Sequence, residues 1–507
     1  MLIMKNIAKI AMILLLLCGF LFLLSCNNKD TDDVKDPTPA NENDAEGNKN
    51  NPESNAKQND GKLFYDNIPE LDFEGYEYRI LTGELPTMYN DLFPEEAIGE
   101  VLNDAFYLRN KKIEERFNIN IKATSISVLE TYQIMKNQVA AGSDTYDACM
   151  QILFNAYPLA VAHMLYPVGD LPHVDFTQPY WCKFANEQLT IGGKQYIAFS
   201  DEALSFFEAA VVVYFNKSYV ADLQLDNFYG LVKDGTWTHD KLYEYARAGI
   251  KDVDGDGKFT EADNWGILSE YDYLYVSFWI SSGEYMVQKD ENDIPYFAVP
   301  GNQKMLDIGG KVVQELNAVK GILMDTVHVQ LTNYKADGFP MRRLPYFADG
   351  HGLFCIGAVA EMKILRDMES DFGVLPFPKY TADQAQYYTR VCGGFPFVIP
   401  TTTQRPDIAG AVLEAMACES RNAIIPAYYE YTLKNKFSRD IETEEMLDLI
   451  YSTRVIDLGD VIWYDPIRTG YTGVFDSGKD TFASYTEKNT AKFETAISKS
   501  IESIIKN

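Results

Sequence analysis

Two adjacent stretches, "YEYRILTG" at residues 76–83 and "EEAIGEVLNDAFYLRNKKIEERFNI" at residues 95–119, indicate the fold class. The first predicts a β-strand. The second predicts an amphipathic helix, because apolar side chains recur on one helical face: Ile98, Val101, Leu102, Ala105, Phe106, Ile113 and Phe117. A strand followed by a long amphipathic helix predicts an α/β protein.

Later segments repeat this alternation. Residues 129–153 read as a helix that stops at Gly142 and is followed by a buried strand, and "AAVVVYFNK" at 209–217 is a strand rich in β-branched residues. Residues 236–249 predict a helix with Thr238 as its N-cap. The last segment, 491–507, predicts an amphipathic helix with one apolar face: Phe493, Ala496, Ile497, Ile501, Ile504 and Ile505. The chain beyond residue 62 is long enough for two lobes, each with its own core.

A calcium loop is indicated by "KDVDGDGKFTEADNWGI" at residues 251–267. Side-chain oxygens at loop positions 1, 3, 5 and 12, a backbone carbonyl at position 7 and a glycine at position 6 match the EF-hand pattern. Position 12 is an aspartate where EF-hands usually have glutamate, so the loop must close more tightly. The alternative is an acidic, glycine-rich turn without metal. The sequence predicts a structural Ca²⁺ with these ligands: Asp252, Asp254, Asp256, Lys258 through its carbonyl, and Asp263.

The N-terminus predicts export. Lys5 and Lys9 precede an apolar run from Ile10 to Leu24, which is typical of a secretory signal; a membrane-spanning helix is the alternative. Leu-Leu-Ser-Cys at 23–26 resembles a bacterial lipobox, so we expect residues 1–25 to be a signal peptide and Cys26 to carry lipid such as palmitate. The polar stretch that follows cannot form a core, so residues 26–62 are predicted to be a lipidated cysteine and a disordered tether. The expected location is the outer face of the cell membrane.

Charge and cysteine usage exclude several classes. The formal net charge of −29 at pH 7 disfavours binding to nucleic acid or anionic lipid. Beyond Cys26 the cysteines are scattered and odd in number, and none has CxxC spacing, so a disulfide framework or zinc site is not expected. We predict free thiols at Cys149, Cys182, Cys355, Cys392 and Cys418.

Six longer segments carry a resemblance to a known family. They are "LRNKKIEERFNINI", "DLPHVDFTQPYW", "VVYFNKSYVADLQLDNFYGLVKDGTWTHDKL", "DVDGDGKFTEADNWGI", "MESDFGVLPFPKY" and "PAYYEYTLKNKFSRDIETEEMLDLIYSTRVIDLG". In this order they resemble the extracellular solute-binding lipoproteins, family 1 type, of bacterial carbohydrate ABC importers. The resemblance covers nearly everything after the tether, and it rests on segment order because no segment is a catalytic motif.

The resemblance implies a periplasmic-binding-protein-like fold of two α/β lobes with a ligand cleft between them. The crossing segments would be 198–207 and 390–400. Lobe one would then comprise 63–203 plus 395–455, and lobe two 204–394 plus 456–507, with the calcium loop in lobe two. It also implies a monomer that captures a solute, expected to be an oligosaccharide, and passes it to the permease subunits of an ABC transporter.

Candidate ligand-binding residues follow from the chemistry of sugars, which stack on aromatic rings and hydrogen-bond to carboxylates. For each candidate the alternative is core packing or, for the two acids, a solvated hinge charge. Gly357 is a candidate because of the resemblance instead, since it matches a turn that brings the backbone near the ligand in similar proteins; Ala358 and Val359 follow it, where those proteins often have an aromatic residue. The candidates are Trp181, Asp201, Glu202, Trp279, Gly357 and Trp463, whereas Trp237 and Trp265 are predicted to be packing residues.

Two other function classes compete with solute binding. A secreted glycan-degrading enzyme would also need carboxylates and aromatic residues in a cleft. The sequence contains no GxSxG, HExxH or P-loop motif, and its five histidines are isolated. No catalytic residue is therefore predicted. A calcium-dependent surface adhesion module would use the loop and the lipid anchor without a deep cleft.

Overall fold

The computed structural model describes residues 63–85, 88–325, 331, 342–432 and 441–505. The predicted signal peptide, Cys26 and the tether lie outside these residues. Within the described ranges, no helix is both long and apolar enough to cross a membrane. The five cysteines in these ranges are all free thiols, as predicted.

Fourteen strands are described in these ranges. In chain order they are β1 (Tyr76–Glu84), β2 (Ile119–Ser127), β3 (Ala148–Met150), β4 (Leu165–Tyr166), β5 (Val211–Asn216), β6 (Trp265–Ser269), β7 (Val287–Lys289), β8 (Pro295–Phe297), β9 (Leu323–Asp325), β10 (Gly352–Ala358), β11 (Phe372–Pro376), β12 (Thr389–Arg390), β13 (Phe397–Pro400) and β14 (Arg454–Val455).

The described helices alternate with these strands, which is the α/β order that the sequence predicts. They are α1 (Val101–Phe117), α2 (Val128–Ala140), α3 (Leu153–Val161), α4 (Lys183–Leu189), α5 (Ser205–Glu208), α6 (Lys217–Asp222), α7 (Phe228–Lys233), α8 (His239–Ala248), α9 (Tyr271–Ser281), α10 (Gln303–Asn317), α11 (Arg343–Ala348), α12 (Met362–Leu365), α13 (Pro406–Glu419), α14 (Ile425–Thr432), α15 (Ile441–Ser452), α16 (Leu458–Val461), α17 (Thr469–Asp476) and α18 (Phe482–Ile505).

Lobe one is built on a five-stranded sheet with the order β2-β1-β3-β13-β4. Strand β1 runs parallel to β2 and β3, and β13 pairs antiparallel with β3 and β4. Helix α1 begins at Val101, six residues later than the predicted start at 95. Ile98 and Val101 are consequently exposed, whereas Leu102, Phe106 and the other predicted apolar residues toward the C-terminus pack into the core.

Lobe two is built on a second five-stranded sheet with the order β11-β5-β10-β6-β9. Strand β5 pairs antiparallel with both β10 and β11, and β6 pairs parallel with β10 and β9. Every residue of β5 is buried, which explains why its sequence is a continuous apolar run.

The two sheets are joined near the predicted crossings. The first crossing segment is tied to lobe one where the Asp201 N–H donates to the Tyr180 carbonyl at 3.1 Å, and it enters sheet two at β5. The second is tied to the first where Ala210 bridges Val391, before the chain enters sheet one at β13. Strand β14 lies beside this second segment, parallel to β12.

The segment 395–455, which is predicted to belong to lobe one, packs against elements of both sheets. Helices α13 and α14 pack on α1 in lobe one, whereas α15 packs on β11 of sheet two, where Tyr229 and Thr443 share a hydrogen bond of 2.9 Å. The apolar periodicity of a helix shows that one of its faces is buried but not which sheet it packs on, because both sheets offer a similar apolar face.

The C-terminal helix α18 packs against both lobes. Phe493 contacts the ring of Phe297 in lobe two, with centroids 5.1 Å apart, and the Ser503 hydroxyl donates to the Val161 carbonyl of α3 at 2.8 Å. Phe493, Ile497, Ile501 and Ile504 are buried as predicted, but Ile505 is exposed at the end of the helix.

Candidate functional site

A cavity of about 250 Å³ lies between the lobes. Lobe one contributes residues 88–91, which follow β1, and two tyrosines of α14. Lobe two contributes residues 359–363, the turn from β10 into α12. Glu208, the last residue of α5 in the first crossing, lies at the junction of the two lobes. The described residues that line this interlobe cleft are Met88, Tyr89, Asn90, Asp91, Glu208, Val359, Ala360, Met362, Lys363, Tyr428 and Tyr431.

Glu208 is the buried acceptor of the cleft, with 3% of its surface exposed. The backbone N–H of Tyr89 donates to both of its carboxylate oxygens, at 3.2 and 3.1 Å, and the Tyr428 hydroxyl donates at 3.3 Å. Burial raises the pKa of Glu208 to about 6, against hydrogen bonds and the nearby Lys363 charge that lower it. The Glu208 carboxylate has lone pairs beyond those used by Tyr89 and Tyr428 and can accept hydrogen bonds from a bound solute.

The walls of the cleft are aromatic. Tyr89 stacks on Phe106 with centroids 5.3 Å apart, and the edge of its ring meets Tyr431 at 6.3 Å. Across the cleft, the Lys363 ammonium donates to the Met88 carbonyl at 3.2 Å, and burial lowers its pKa. Tyrosine rings combine an apolar face with a hydroxyl. The cleft thus presents ring faces, the carboxylates of Asp91 and Glu208 and one ammonium donor to a solute between the lobes.

Trp181 and Asp201 meet, but in a different cavity from the interlobe cleft. This hinge pocket, of about 50 Å³, is lined by Pro179, Trp181, Cys182, Lys183, Phe184, Asp201, Arg421, Tyr451, Ser452 and Arg454. The Trp181 indole donates to Glu414 Oε2 at 2.9 Å, and its ring meets the edge of Phe176. Only 4% of Trp181 is exposed, so it is mainly a packing residue.

Asp201 is engaged within the protein. It accepts from Arg421 at 3.1 Å and from the Tyr451 hydroxyl at 2.6 Å. Asp201 therefore stays a predicted solute acceptor, but it does not line the interlobe cleft, and each of its oxygens already accepts from a protein donor.

Glu202 is buried beside the first crossing, and no hydrogen bond to its Oε2 atom is found among the described residues. Burial is the largest cause that raises its pKa to about 8; the charges of Asp201 and Glu414 add to this, and Arg109 opposes it. Glu202 lines neither the interlobe cleft nor the hinge pocket.

The remaining tryptophan candidates are core residues. Trp279 is fully buried, donates to the Met305 carbonyl at 2.8 Å and packs against Tyr471 at 5.0 Å. Trp463 meets the edge of Tyr157 at 5.5 Å. Neither lines the interlobe cleft, and their burial favours the packing alternative for both. Trp237 and Trp265 are buried, as predicted.

Gly357 has a structural role. A Cβ atom at this position would lie 2.1 Å from Glu361 Oε2, so only glycine leaves room for that carboxylate. Glu361 is buried and pairs with Arg343, whose guanidinium also pairs with Glu270 at 2.8 Å. The glycine thus makes space for an ion pair, and the cleft is reached two residues later, at Val359.

The cleft tyrosines and Glu208 were missed by sequence reasoning. Glu208 is an isolated acid in "SFFEAAVVV", three residues before the buried strand β5. A single acid within such an apolar segment is the sequence feature that could have indicated a functional role. Tyr428 and Tyr431 lie in "PAYYEYT", three residues apart and therefore on one face of a helix.

The predicted calcium loop lies between α8 and β6 in lobe two. One carboxylate oxygen each of Asp252, Asp254 and Asp256 lies within 4.8 Å of the others, which fits a hard cation. The oxygens of Asp263 accept the backbone N–H groups of Val253 and Thr260, both at 2.8 Å, and those of Asp252 likewise accept from Gly255 at 2.7 Å and Gly257 at 2.9 Å. Asp263 is not among the converging carboxylates. None of the loop residues lines the interlobe cleft.

Comparison with known proteins identifies the fold. No protein-family model and no curated protein matches the chain. A cyclo/maltodextrin-binding protein complexed with maltotetraose is 15% identical, with a TM-score of 0.54, and the match covers 84% of this chain and 98% of that one. A maltose/maltodextrin-binding domain from Bdellovibrio bacteriovorus bound to maltotriose is 13% identical, with a TM-score of 0.52 and coverage of 83% and 100%.

A third solved structure widens the range of ligands. UgpB from Mycobacterium tuberculosis, in complex with glycerophosphocholine, is 15% identical, with a TM-score of 0.53 and coverage of 79% and 98%. These identities show a common fold and no more. The chain therefore has the two-lobed α/β fold that these solute-binding proteins share.

Proposed function

We propose that the chain captures a solute, an oligosaccharide in the first instance, in the interlobe cleft and delivers it to an ABC transporter. The observation that carries this proposal is the composition of the cleft: three tyrosines, the buried carboxylate of Glu208 and the Lys363 ammonium. Sugar rings offer apolar faces for the tyrosines and hydroxyls for the carboxylate. Two of the similar structures hold maltotetraose and maltotriose, which supports the same solute class.

Hydrolysis is the alternative that the cleft must be tested against. A glycosidase generally needs two carboxyl groups that flank the scissile bond. Asp91 and Glu208 are the described carboxylates that line the cleft, and both already accept protein hydrogen bonds, from Asn103 at 2.9 Å and from Tyr89. This arrangement favours binding without chemical change, with hinge motion at the crossings as the conformational step.

The test is a thermal-shift screen of the soluble chain from residue 27 against oligosaccharides and glycerophosphodiesters, followed by mass spectrometry of the recovered ligand. We expect an oligosaccharide to raise the melting temperature by mass action and to be recovered intact. Recovery of cleaved products would make the protein an enzyme. A melting temperature that responds to glycerophosphodiesters alone would change the solute class but keep the binding function.

We further propose that the chain is held outside the cell membrane by lipid on Cys26, with residues 27–62 as a tether. The lipobox-like sequence at 23–26 supports this. Fractionation of cells that express the wild type or Cys26→Ala tests it. The wild type should be in the membrane fraction after processing, and the variant should be unprocessed or released. Equal retention of processed wild type and unprocessed variant would contradict lipid anchoring.

We also propose a structural Ca²⁺ in the loop 252–263, held by Asp252, Asp254, Asp256 and the Lys258 carbonyl. The convergence of the three carboxylates supports it. Asp263, the predicted ligand at position 12, is buried and lies outside this convergence, with its oxygens bonded to the backbone of Val253 and Thr260.

A further inference from the structure

The hinge pocket has a charge that contrasts with the rest of the chain. Its lining includes three cationic residues, Lys183, Arg421 and Arg454, and one carboxylate, Asp201. The chain as a whole carries a formal charge of −29. A small cavity with a formal charge of +2 in so acidic a protein concentrates positive potential at one place.

Arg421 is partly neutralised. Its Nη1 atom donates to Asp201 Oδ2 at 3.1 Å and to the Tyr451 hydroxyl at 2.6 Å, and its side chain is 13% exposed. Asp201 therefore balances Arg421, and the charges of Lys183 and Arg454 remain. Lys183 is largely exposed and only approaches Glu187, at 3.9 Å.

Arg454 is positioned but not neutralised. Its guanidinium lies 3.9 Å from the ring centroid of Tyr451 and 5.0 Å from that of Phe206, which fixes its plane. Nε donates to the Tyr451 carbonyl at 2.8 Å. Among the described residues, its two terminal nitrogens donate to no acceptor and it pairs with no carboxylate. A guanidinium held in this way is ready to make a bidentate contact with an oxyanion.

We propose that the hinge pocket is a binding site for a small oxyanion, a carboxylate or phosphate group, held by the terminal nitrogens of Arg454 with help from Arg421 and Lys183. The cavity of about 50 Å³ has room for a group of that size and not for an oligosaccharide. The bound anion would contact both the first crossing, through the Asp201–Arg421 pair, and β14. This site is separate from the interlobe cleft and does not depend on the identity of the cleft solute.

The test is isothermal titration of the soluble chain with inorganic phosphate and, separately, with acetate, at constant ionic strength. We expect saturable binding of at least one of them, weakened about ten-fold to a hundred-fold by Arg454→Gln, because hydrogen bonds to charged groups are the strongest contacts available there. Arg454→Lys keeps the positive charge but loses the paired N–H donors of the guanidinium. Its affinity for the anion should therefore lie between those of the wild type and Arg454→Gln. Saturable binding of phosphate alone would show that the hinge pocket is specific for a tetrahedral anion. Saturable binding of both phosphate and acetate would show that it accepts small oxyanions in general.

The matched control is Arg366→Gln, an exposed arginine of lobe two that pairs only weakly with Asp367, at 3.5 Å. It should bind the anion as the wild type does. If Arg454→Gln fails to fold, Lys183→Gln at its exposed position should still weaken binding about two-fold to five-fold. Absence of saturable binding to the wild type, or equal binding by wild type and the Arg454 variants, would overturn the proposal.

Discussion

The interlobe cleft and the hinge pocket lie near the same crossing segments, yet they offer opposite chemistry. The cleft presents tyrosine faces and the carboxylates of Asp91 and Glu208, with Lys363 as the one cation among its lining residues. The hinge pocket presents three cations around Asp201 and is a fifth of the volume, 50 against 250 Å³. The difference shows that one two-lobed fold holds two cavities of contrasting charge, which is why we propose a neutral, hydroxyl-rich solute for one and a small anion for the other.

The two regions also differ in how they use aromatic residues. In the cleft, Tyr89 and Tyr431 keep part of their surface available, whereas beside the hinge pocket Trp181 is buried and bonded to Glu414. Tyrosine can pack one face and still offer its hydroxyl and edge to a ligand. Changes at Trp181 should therefore be read as stability effects, and changes at Tyr431 as binding effects.

The largest effect is expected for Trp181→Ala. Loss of a buried tryptophan should lower the free energy of unfolding by about 3–5 kcal/mol, as is typical for large-to-small core substitutions. The solute Kd of the protein that remains folded should not change. Urea denaturation measures the first quantity and calorimetric titration of the cleft solute the second. Trp181→Phe, which keeps one aromatic ring but loses the indole donor to Glu414 and part of the buried volume, is the milder control. A weaker Kd at unchanged stability would return Trp181 to the solute-binding residues.

Glu202→Gln should change the pH dependence of stability. The pKa of Glu202 in the folded protein, about 8, is above its ordinary value of 4.5. Its favourable contribution is therefore fully present below about pH 4.5 and is lost as the pH rises through 8. The glutamine variant should be more stable than the wild type at pH 9 by about 2–4 kcal/mol, and nearly equal to it at pH 4.5.

The measurement for Glu202 is the difference in unfolding free energy between variant and wild type across pH 4.5–9. Because Asp201, Glu414 and Arg109 surround Glu202 in both proteins, their own titration largely cancels in the difference. A difference that is constant with pH would show that Glu202 is not held protonated in the fold.

Tyr431→Ala should weaken solute binding by about 1–3 kcal/mol, the range for the loss of an aromatic contact at a binding site. The unliganded melting temperature should change little, because Tyr431 is only half-buried. Tyr65→Ala, at a tyrosine that is 76% exposed and outside the cleft, is the control for loss of a ring. Unchanged affinity in Tyr431→Ala would mean that the solute does not contact α14.

Of the effects predicted here, the stabilisation by calcium should be the smallest. Calcium should not change the affinity of the interlobe cleft for its solute or of the hinge pocket for an oxyanion. At a free Ca²⁺ concentration about ten times its Kd, stabilisation by mass action is about 1.4 kcal/mol. Asp254→Ala with Asp256→Ala should abolish this rise, whereas solute and oxyanion affinities should be unchanged, because the loop lines neither cavity. Differential scanning calorimetry with calcium and with chelator is the measurement. A melting temperature that responds to neither would contradict the metal site.

The parts of the fold that depend on local pattern could be predicted. Strand β1, the core face of α1 from Leu102 onward and the buried strand β5 follow from apolar periodicity, which only neighbouring residues determine. The start of α1 could not be predicted, because residues 95–100 have the same apolar spacing without helical structure.

The candidate site could be predicted only in part. The cleft is assembled from residues 88–91, Glu208, 359–363 and two tyrosines of α14, which are far apart in the sequence. Their meeting depends on how the lobes pack, and a single sequence does not encode that in any short pattern. Reasoning from residue type favoured tryptophan, but the large apolar area of Trp279 and Trp463 serves the core instead.

The most direct test of the central claim is hydrogen–deuterium exchange of the soluble chain with and without the oligosaccharide found by screening. The account predicts new protection of backbone amides in residues 88–91, 359–363 and 428–431, with residues 179–184 and 452–454 unchanged. Protection confined to 179–184 and 452–454, with the cleft segments unchanged, would contradict it and place the solute at the hinge pocket.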